Sequence, residues 1–311
     1  MIGLAHLVWG PLGVVPVRRF LSSYRGVGAG AEHELIMVLN GVDAQLRREV
    51  AEELEGTEHR LLELAVPVQD LIAYREAARR LEHERLCFVN SHGVVLAPGW
   101  LGALDGALAA PGVGIVGASG SWGSIHSYLR FSLGLGGFYT RVFNDRRATI
   151  ATLEAIAQRQ ERETPPSSAR RRRVPVLTYA AAVLDQAHGF GRFPAPHIRT
   201  TGFMLHAATM RTLRIEGISS KNDAYRLESG RRSITSQIRE SGLEARVVAR
   251  GGDSYAVPDW PASGTFWQAG QENLLIADKQ TAAYANGSMR EREVLSRYAW
   301  GTRALPRAPS G

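Results

Sequence analysis

The sequence predicts an α/β fold with a mostly parallel central sheet and helices on both of its faces. Short apolar segments alternate with segments of helical length between residues 1 and 117, which is typical of repeated strand–helix units. The strand candidates are nearly unbroken apolar runs, as expected for strands that are buried on both faces. Hydrophobic residues make up 44% of the 311 residues and charged residues 22%, which is enough apolar material for a sizeable core.

The strand and helix candidates follow one another at the short spacing of such units. The apolar strand candidates, bounded by Gly, Pro or Asn, span 4–9, 34–39, 60–66, 86–89 and 113–117. The helix candidates between them span 16–24, 43–54, 70–81 and 98–109. Pro16 suits a first helical turn because its missing N–H would be unpaired there, and Asp43 and Asp70 suit helix starts as capping carboxylates. Ligands of these sheets bind at the carboxyl ends of the strands, so we expect the site there.

The pattern weakens between residues 123 and 192, which we predict to be an insertion beside the sheet. The segment holds a helix candidate at 147–162, a loop rich in Pro, Ser and Arg at 164–173 and another helix candidate at 174–187. Regular segments then return, with strand candidates at 201–205 and 244–249 and helix candidates at 207–213 and 233–241. The tail from 301 to 311 contains two prolines and is predicted to be disordered.

Charge and composition narrow the class of partner. The formal net charge is +7, from 37 Lys and Arg against 30 Asp and Glu, which favours phosphate-bearing ligands, nucleic acid or an anionic membrane surface. Cys87 is the single cysteine, so an internal disulfide and a zinc site built on two or more thiolates are excluded. No apolar run reaches the roughly 18 to 20 residues of a membrane span, and the apolar start lacks the basic region of a signal peptide. We therefore predict a cytoplasmic protein, with the basic run at 170–173 as a peripheral contact to the inner face of a membrane.

Polar residues stand at fixed places in this order of segments. Asn40 and Asp43 follow the second strand, Asn90-Ser91-His92 follow the fourth, and Glu228-Ser229-Gly230 stand between a later strand and helix. Together with the segments 70–74, 96–101, 202–205 and 242–248, this order resembles the GT-A fold of family-2-type glycosyltransferases over roughly residues 5–255. Two family features are absent, because Asn90-Ser91-His92 replaces the Asp-x-Asp motif and Ser229 replaces the second acid of a Glu-Asp pair.

The resemblance implies a GT-A-like, Rossmann-like α/β protein with a mostly parallel central sheet and a middle insertion. It implies a nucleotide-sugar-binding half at 1–122, a flexible lid at 123–192 and an acceptor-binding and catalytic half at 193–300. The implied activity is transfer of a sugar from a nucleotide diphosphate sugar to a glycan, a lipid-linked molecule or another hydroxyl acceptor, in the assembly of surface polysaccharide. A divalent cation, manganese or magnesium, accompanies the Asp-x-Asp motif in the family, and the altered motif argues against it here.

Glycosyl transfer poses two electrostatic problems, because the leaving diphosphate gains charge and the acceptor hydroxyl must lose a proton. Glu228 is the candidate base, since it lies near a predicted helix start and Ser229 and Gly230 beside it allow close approach of a substrate. The alternative for Glu228 is a helix-capping carboxylate or a surface partner of Arg231 or Arg232.

Positive charge for the diphosphate is expected from the segment that contains His197, Arg199 and Thr200. Arg199 stays charged and binds phosphate bidentately, and Pro196 and Ile198 indicate that the segment is extended and held. The alternative is an ordinary surface arginine.

Asn90 and His92 are also candidates for contacts with the donor diphosphate. An Asn carbonyl and a neutral imidazole would hold a divalent cation only weakly, and they would prefer manganese to magnesium. Asp278 is a further candidate metal ligand that would return over the site from a distant segment. The alternative for Asp278 is a helix cap.

Three more residues are candidates for contacts with the nucleoside and the acceptor. The Asn40 amide can recognise a base, and the alternative is a strand-end turn residue. Asp70 can contact the base or ribose, and the alternative is a helix cap. Trp122, in a loop of small residues, can stack on an acceptor sugar, and the alternative is a connecting loop.

Two other functions compete with glycosyl transfer. A non-catalytic relative that binds a glycan or a partner enzyme is supported by the missing acidic motif. A nucleic-acid binder is supported by the net charge and by the run at 170–173. We rank the nucleic-acid binder last, because no basic stripe is interleaved with aromatic residues and no nucleic-acid motif is present.

Overall fold

The computed structural model describes residues 1–162, 188–215 and 221–304, which form twelve strands, twelve helices and three short 3₁₀ turns. The strands are β1 Ile2–Trp9, β2 His33–Asn40, β3 Arg60–Glu63, β4 Arg85–Val89, β5 Val94–Val95, β6 Val113–Gly117, β7 Gly120–Ser121, β8 His197–Ile198, β9 Gly202–His206, β10 Glu244–Val248, β11 Ser254–Ala256 and β12 Ile276–Ala277. The helices are α1 Val15–Gly26, α2 Ala44–Glu53, α3 Asp70–Arg80, α4 Trp100–Leu108, α5 Ile125–Ser132, α6 Phe138–Val142, α7 Arg146–Arg162, α8 Ala207–Thr212, α9 Lys221–Ser229, α10 Ile234–Glu240, α11 Lys279–Ala285 and α12 Met289–Trp300. The 3₁₀ turns are Gly10–Leu12, Val257–Ala262 and Gly301–Arg303.

Eight of the strands form one central sheet in the order β11-β10-β6-β9-β4-β1-β2-β3. The pairs β1–β2, β1–β4, β2–β3 and β6–β10 are parallel, whereas β9 is antiparallel to both of its neighbours and β11 is antiparallel to β10. The predicted mostly parallel α/β sheet is therefore confirmed, and its arrangement is GT-A-like. Because β9 lies between β4 and β6, the two predicted halves of the chain build a single sheet.

Helices cover both faces of this sheet, as predicted. Along β1, Ala5 and Leu7 point to one apolar core and Leu4 and Val8 to the other, which is the alternation of a strand that is buried on both sides. The first core receives side chains from α3, α8 and α10, and the second receives side chains from α1, α2 and α4. Burying one such aliphatic or aromatic side chain contributes about 1.5 to 3 kcal/mol.

Helix starts show where local sequence determines structure. Asp43 is the N-cap of α2, and its Oδ1 accepts a hydrogen bond of 2.8 Å from Leu46 N, as predicted. The predicted capping role of Asp70 is wrong, because Gln69 occupies the N-cap position of α3 and Asp70 is the first helical residue. Helix α4 begins at Trp100, two residues later than predicted, because Gly99 before it has a left-handed φ of 71°.

The insertion and the tail are only partly described. The predicted helix at 147–162 is confirmed as α7, while α5 and α6 are additional. The predicted loop at 164–173 and helix at 174–187 lie outside the described residues. The tail prediction is wrong at its start, because Gly301–Arg303 forms a 3₁₀ turn whose Gly301 is buried, and the residues from 305 on lie outside the described part. None of the helices in the described ranges combines the length and the apolar character needed to span a bilayer.

Candidate functional site

A late segment of the chain returns to the carboxyl ends of the central strands. Strand β12 pairs antiparallel with β5, with Ala277 opposite Val94 and Ile276 opposite Val95. This pairing carries residues 278–280 past the loop 90–93, which follows β4. The polar cluster around Asp278 therefore lies beside Asn90 and His92, although about 190 residues separate them in sequence.

Asp278 is the cap of α11 and the anchor of this segment. Its Oδ1 accepts hydrogen bonds from Gln280 N at 3.0 Å and Thr281 N at 2.9 Å. Its Oδ2 accepts from Thr201 Oγ1 at 2.6 Å and from Arg199 Nη2 at 2.8 Å. Burial alone would raise the pKa of Asp278, but the Arg199 charge and these hydrogen bonds outweigh burial and lower the pKa to about 2.

Arg199 is a cation held in place on three sides. Its Nη2 donates to Asp278 Oδ2 and to Gln280 Oε1 at 2.9 Å, and its guanidinium carbon lies 4.1 Å from the centre of the Phe266 ring. The side chain is only 11% exposed, and within the described part of the chain its buried Nη1 has no hydrogen-bond partner. Buried donors nearly always have a partner, so this atom can still donate to one further acceptor, such as a water or a ligand oxygen.

Lys279 adds a second cation at the same place, and the sequence analysis missed it. Lys279 is exposed, and together with burial its charge lowers the pKa of His92. Burial raises the pKa of Asp70, and Lys279 partly opposes that rise. The ammonium group is thus within electrostatic reach of both the loop after β4 and the start of α3. Its position directly after Asp278 was the signal that could have identified it.

The residues expected to hold a metal do not form a metal site. Asn90 Oδ1 accepts a hydrogen bond from His92 N at 3.0 Å. Burial lowers the pKa of His92, the charges of Lys279 and Arg19 lower it further, and the Asp278 charge opposes them. The four lone-pair positions of the Asp278 carboxylate are taken by four donors. Among residues 1–162, 188–215 and 221–304, no group of three or more His, Cys, Asp or Glu is arranged to hold a metal ion. The donor set present therefore does not fit a divalent cation.

A second cluster surrounds Glu228, which lies at the end of α9 and not near a helix start as predicted. Thr200 Oγ1 lies 3.4 Å from Glu228 Oε1. The Tyr74 hydroxyl is buried, and it has no hydrogen-bond partner in the described ranges. Burial, then the charges of Asp70 and Glu228, hold the pKa of Tyr74 well above its usual range, so its hydroxyl remains a donor at neutral pH. Tyr74 was also missed, although it follows Asp70 by one helical turn.

His197 lies two residues before Arg199, and its surroundings disfavour the charged imidazole. Its Nδ1 lies 2.8 Å from Ala195 O, a backbone acceptor that only the N–H tautomer can satisfy. Burial lowers the pKa of His197 to about 4. The hydrogen bond to Ala195 raises this pKa, whereas the Arg199 charge lowers it further. The lowered pKa argues against the expectation that His197 supplies positive charge to a diphosphate, which stays a prediction.

Asn40 and Trp122, predicted as ligand contacts, make internal contacts in the structure. The Asn40 amide is buried, with Nδ2 donating to Val68 O at 2.8 Å and Oδ1 accepting from Val68 N at 3.0 Å, so it holds a loop instead of facing a base. Trp122 is 8% exposed, its Nε1 donates to Val257 O at 3.1 Å, and its ring packs against Trp300, so it is a core residue and not a stacking platform.

Comparisons with known proteins agree with the fold and go no further. No protein-family model matches the chain, and no curated protein matches its sequence. The chain is similar in structure to the mannosyltransferase PcManGT from Pyrobaculum calidifontis, solved with GDP-Man and Mn²⁺, with 12% identity, a TM-score of 0.43 and coverage of 78% of this chain and 53% of that one. Glucosyl-3-phosphoglycerate synthase from Mycobacterium tuberculosis, solved with Mn²⁺, UDP and phosphoglyceric acid, shows 14% identity, a TM-score of 0.31 and coverage of 38% and 42%.

Residues 1–349 of TarS from S. aureus show 13% identity, a TM-score of 0.31 and coverage of 37% of this chain and 34% of that one. The chain thus spans about half or less of the length of these structures. The order and direction of the strands identify the chain as a divergent GT-A-like fold.

Proposed function

We propose that this protein is a glycosyltransferase that moves a sugar from a nucleotide diphosphate sugar to a hydroxyl acceptor, with cationic side chains in place of a metal ion. The observation that carries the proposal is Arg199. Its guanidinium is fixed by Asp278, Gln280 and Phe266, and its buried Nη1 has no partner in the described chain. This donor lies at the strand ends where an α/β sheet binds its ligands.

The proposed ligand of Arg199 and Lys279 is the diphosphate of the donor. In the reaction, the acceptor oxygen forms a bond to the anomeric carbon, and the bond from that carbon to the diphosphate oxygen breaks. The nucleoside diphosphate leaves with the electron pair of that bond. Arg199 Nη1 and the Lys279 ammonium oppose the growing negative charge, which is the task that a divalent cation performs elsewhere. Asn90 and His92, beside Lys279, complete this wall of the site.

Glu228 is the proposed base that accepts the proton of the acceptor hydroxyl. Thr200 Oγ1, at 3.4 Å, orients its carboxylate. Tyr74 is fully buried, so its protonated hydroxyl is proposed to support this cluster from the core and not to touch the substrate. Asp70, between Tyr74 and Lys279, is the proposed contact to the ribose. Asn40 acts on this region through Val68, whose loop precedes α3.

The biological setting is a finer proposal that rests on the resemblance. We propose a glycan or lipid-linked acceptor and a role in surface polysaccharide assembly. The run at 170–173, on which both peripheral membrane contact and nucleic-acid binding depend, lies outside the described residues, so those two ideas stay predictions.

Calorimetry with UDP, GDP, UDP-glucose and GDP-mannose, each with manganese and with a chelator, tests the proposal. We expect one nucleotide class to bind equally well in both conditions. Arg199→Gln should weaken that binding, whereas Arg48→Gln, which changes an exposed arginine on α2, should not. Binding that requires manganese would contradict the cationic mechanism, and binding of no member would contradict the donor site.

The non-catalytic alternative is favoured by two replacements, Asn90-Ser91-His92 for the Asp-x-Asp motif and Ser229 for the second acid of the family pair. It predicts nucleotide-independent glycan binding. Release of nucleoside diphosphate from the bound nucleotide sugar, measured with the panel above, separates the two functions.

A further inference from the structure

A second concave site lies away from the strand ends, on the predicted insertion. It is a cleft of about 600 Å³ between α5, α6 and the segment 192–193. Its described lining includes Arg130, Arg141, Arg192, Phe138, Phe193 and Ser127, and none of the described lining residues is acidic. The volume falls within the range of small-molecule pockets, and none of these residues belongs to the candidate donor site.

Within the described ranges, the cleft brings three positive charges together without an acidic partner. Arg130, Arg141 and Arg192 are exposed and form no ion pair in that part of the chain. Arg130 Nη2 donates to Leu135 O at 2.8 Å, which orients its guanidinium at the rim. Three guanidinium groups around one cleft repel one another, so an anion that neutralises them gains from all three.

The floor of the cleft is apolar and rigid. The Phe138 and Phe193 rings are stacked, with centroids 4.0 Å apart and planes 10° apart, and both are partly exposed. Phe193 N donates to the buried Ser127 Oγ at 2.9 Å, and the Tyr139 ring packs against Phe193 at 5.6 Å. The rings therefore keep their positions and offer a flat apolar surface beside the arginines.

We propose that this cleft binds a soluble organic phosphate, with its phosphate on the arginines and its apolar or planar part on Phe138 and Phe193. Guanidinium groups match phosphate oxygens bidentately, and the stacked rings favour an organic ester over the free ion. The inference does not depend on the proposed glycosyltransferase activity, because it uses other residues.

Calorimetric titration of the full chain with phenyl phosphate at low salt tests the proposal. We expect the double variant Arg141→Gln/Arg192→Gln to weaken binding by about tenfold or more. Phe138→Ala should weaken phenyl phosphate but not inorganic phosphate. Arg48→Gln is the matched control and should bind like the wild type, and a melting curve of each variant verifies folding.

Two further arms separate this site from the donor site. Arg199→Gln should bind phenyl phosphate like the wild type, and phenol should not bind. The proposal is overturned if the wild type does not bind phenyl phosphate, if the double variant binds as tightly as Arg48→Gln, or if Arg199→Gln abolishes the binding.

Discussion

Arg199 Nη2 donates a hydrogen bond of 2.8 Å to Asp278 Oδ2, and this contact joins the segment after β8 to the cap of α11 across 79 residues. Both side chains are nearly buried, at 11% and 5% exposure. Loss of one partner of such a buried pair strongly destabilises the folded protein, because the other charge is left buried without compensation. The pair therefore fixes the shape of the proposed donor site as well as its charge.

Asp278→Ala should destabilise the protein more than loss of a helix cap explains. Loss of an N-cap costs about 1 kcal/mol, whereas loss of one partner of a buried ion pair costs about 3 to 5 kcal/mol. Asp43→Ala is the matched control, since Asp43 caps α2 without an ion pair among the described residues. Urea unfolding measures both, and equal losses for the two variants would show that the Arg199 contact adds nothing.

His6 should make the protein less stable as the pH falls from neutral. His6 is fully buried, it stacks on Phe20 at 3.8 Å, and burial together with the His92 charge lowers its pKa from 6.5 to about 3. A lowered folded-state pKa means that its stabilising contribution is complete above pH 6.5 and is lost as the pH falls towards 3. A histidine with this pKa shift lowers the free energy of unfolding by about 2 kcal/mol between pH 7 and pH 5.

The variant His6→Leu tests this pH dependence. Its loss of unfolding free energy between pH 7 and pH 5 should be smaller than the wild-type loss by about 2 kcal/mol. Urea unfolding at the two pH values measures it. The assignment to His6 is wrong if the variant and the wild type lose the same free energy.

Glu228→Gln should abolish transfer and keep donor binding. A general base contributes about 10²- to 10⁴-fold to the rate, and the amide keeps the size of the side chain but cannot accept the proton. Turnover is followed by release of nucleoside diphosphate, and donor binding by calorimetry. Glu240→Gln, at the exposed end of α10, is the matched control. Unchanged turnover in Glu228→Gln would show that Glu228 is not the base.

Lys279→Met should weaken nucleotide sugar binding by about tenfold, which corresponds to about 1.4 kcal/mol. Lys279→Arg should retain most of the affinity, because the charge is kept. The pKa of His92 offers a readout that is independent of activity. It should rise in Lys279→Met, since the lysine charge contributes to lowering it, and NMR titration of the imidazole measures the change. An unchanged His92 pKa would mean that Lys279 does not face the site.

Most of the fold could be predicted because its signals are local. The apolar runs of β1, β2, β4 and β6 are bounded by Gly, Pro or Asn, and their burial on both faces favours a mostly parallel sheet. Burial does not reveal that β9 runs antiparallel to β4 and β6. The short strands β5, β7, β8 and β12 were not predicted. Two residues carry no periodicity, and each of these strands exists only through its partner in the pairs β5–β12 and β7–β8.

The site was harder to predict because its contacts are distant in sequence. Arg199 was identified from its residue type and its extended neighbours, but its partner Asp278 is 79 residues away. Asn40 was predicted to contact the base, but both ends of its amide are hydrogen-bonded to Val68, which lies 28 residues later in the sequence. Trp122 lies in a loop of small residues, and this local sequence does not reveal its contacts with two distant residues. Its ring packs against Trp300, and its Nε1 donates to Val257 O.

The antiparallel strand β9 has a consequence for how the chain is made. It lies between β4 and β6, so β4 leaves the ribosome with one edge unpaired, and β6 leaves it with both edges unpaired because its other neighbour, β10, also comes later in the chain. Residue 206 follows residue 117 by roughly 90 residues, which is about 5 to 20 seconds of synthesis. During that interval, three strand edges with unpaired N–H and C=O groups are open to pairing with other nascent chains. A chaperone that shields these edges until β9 and β10 are made would raise the yield of folded protein, and truncation before residue 202 should yield aggregates.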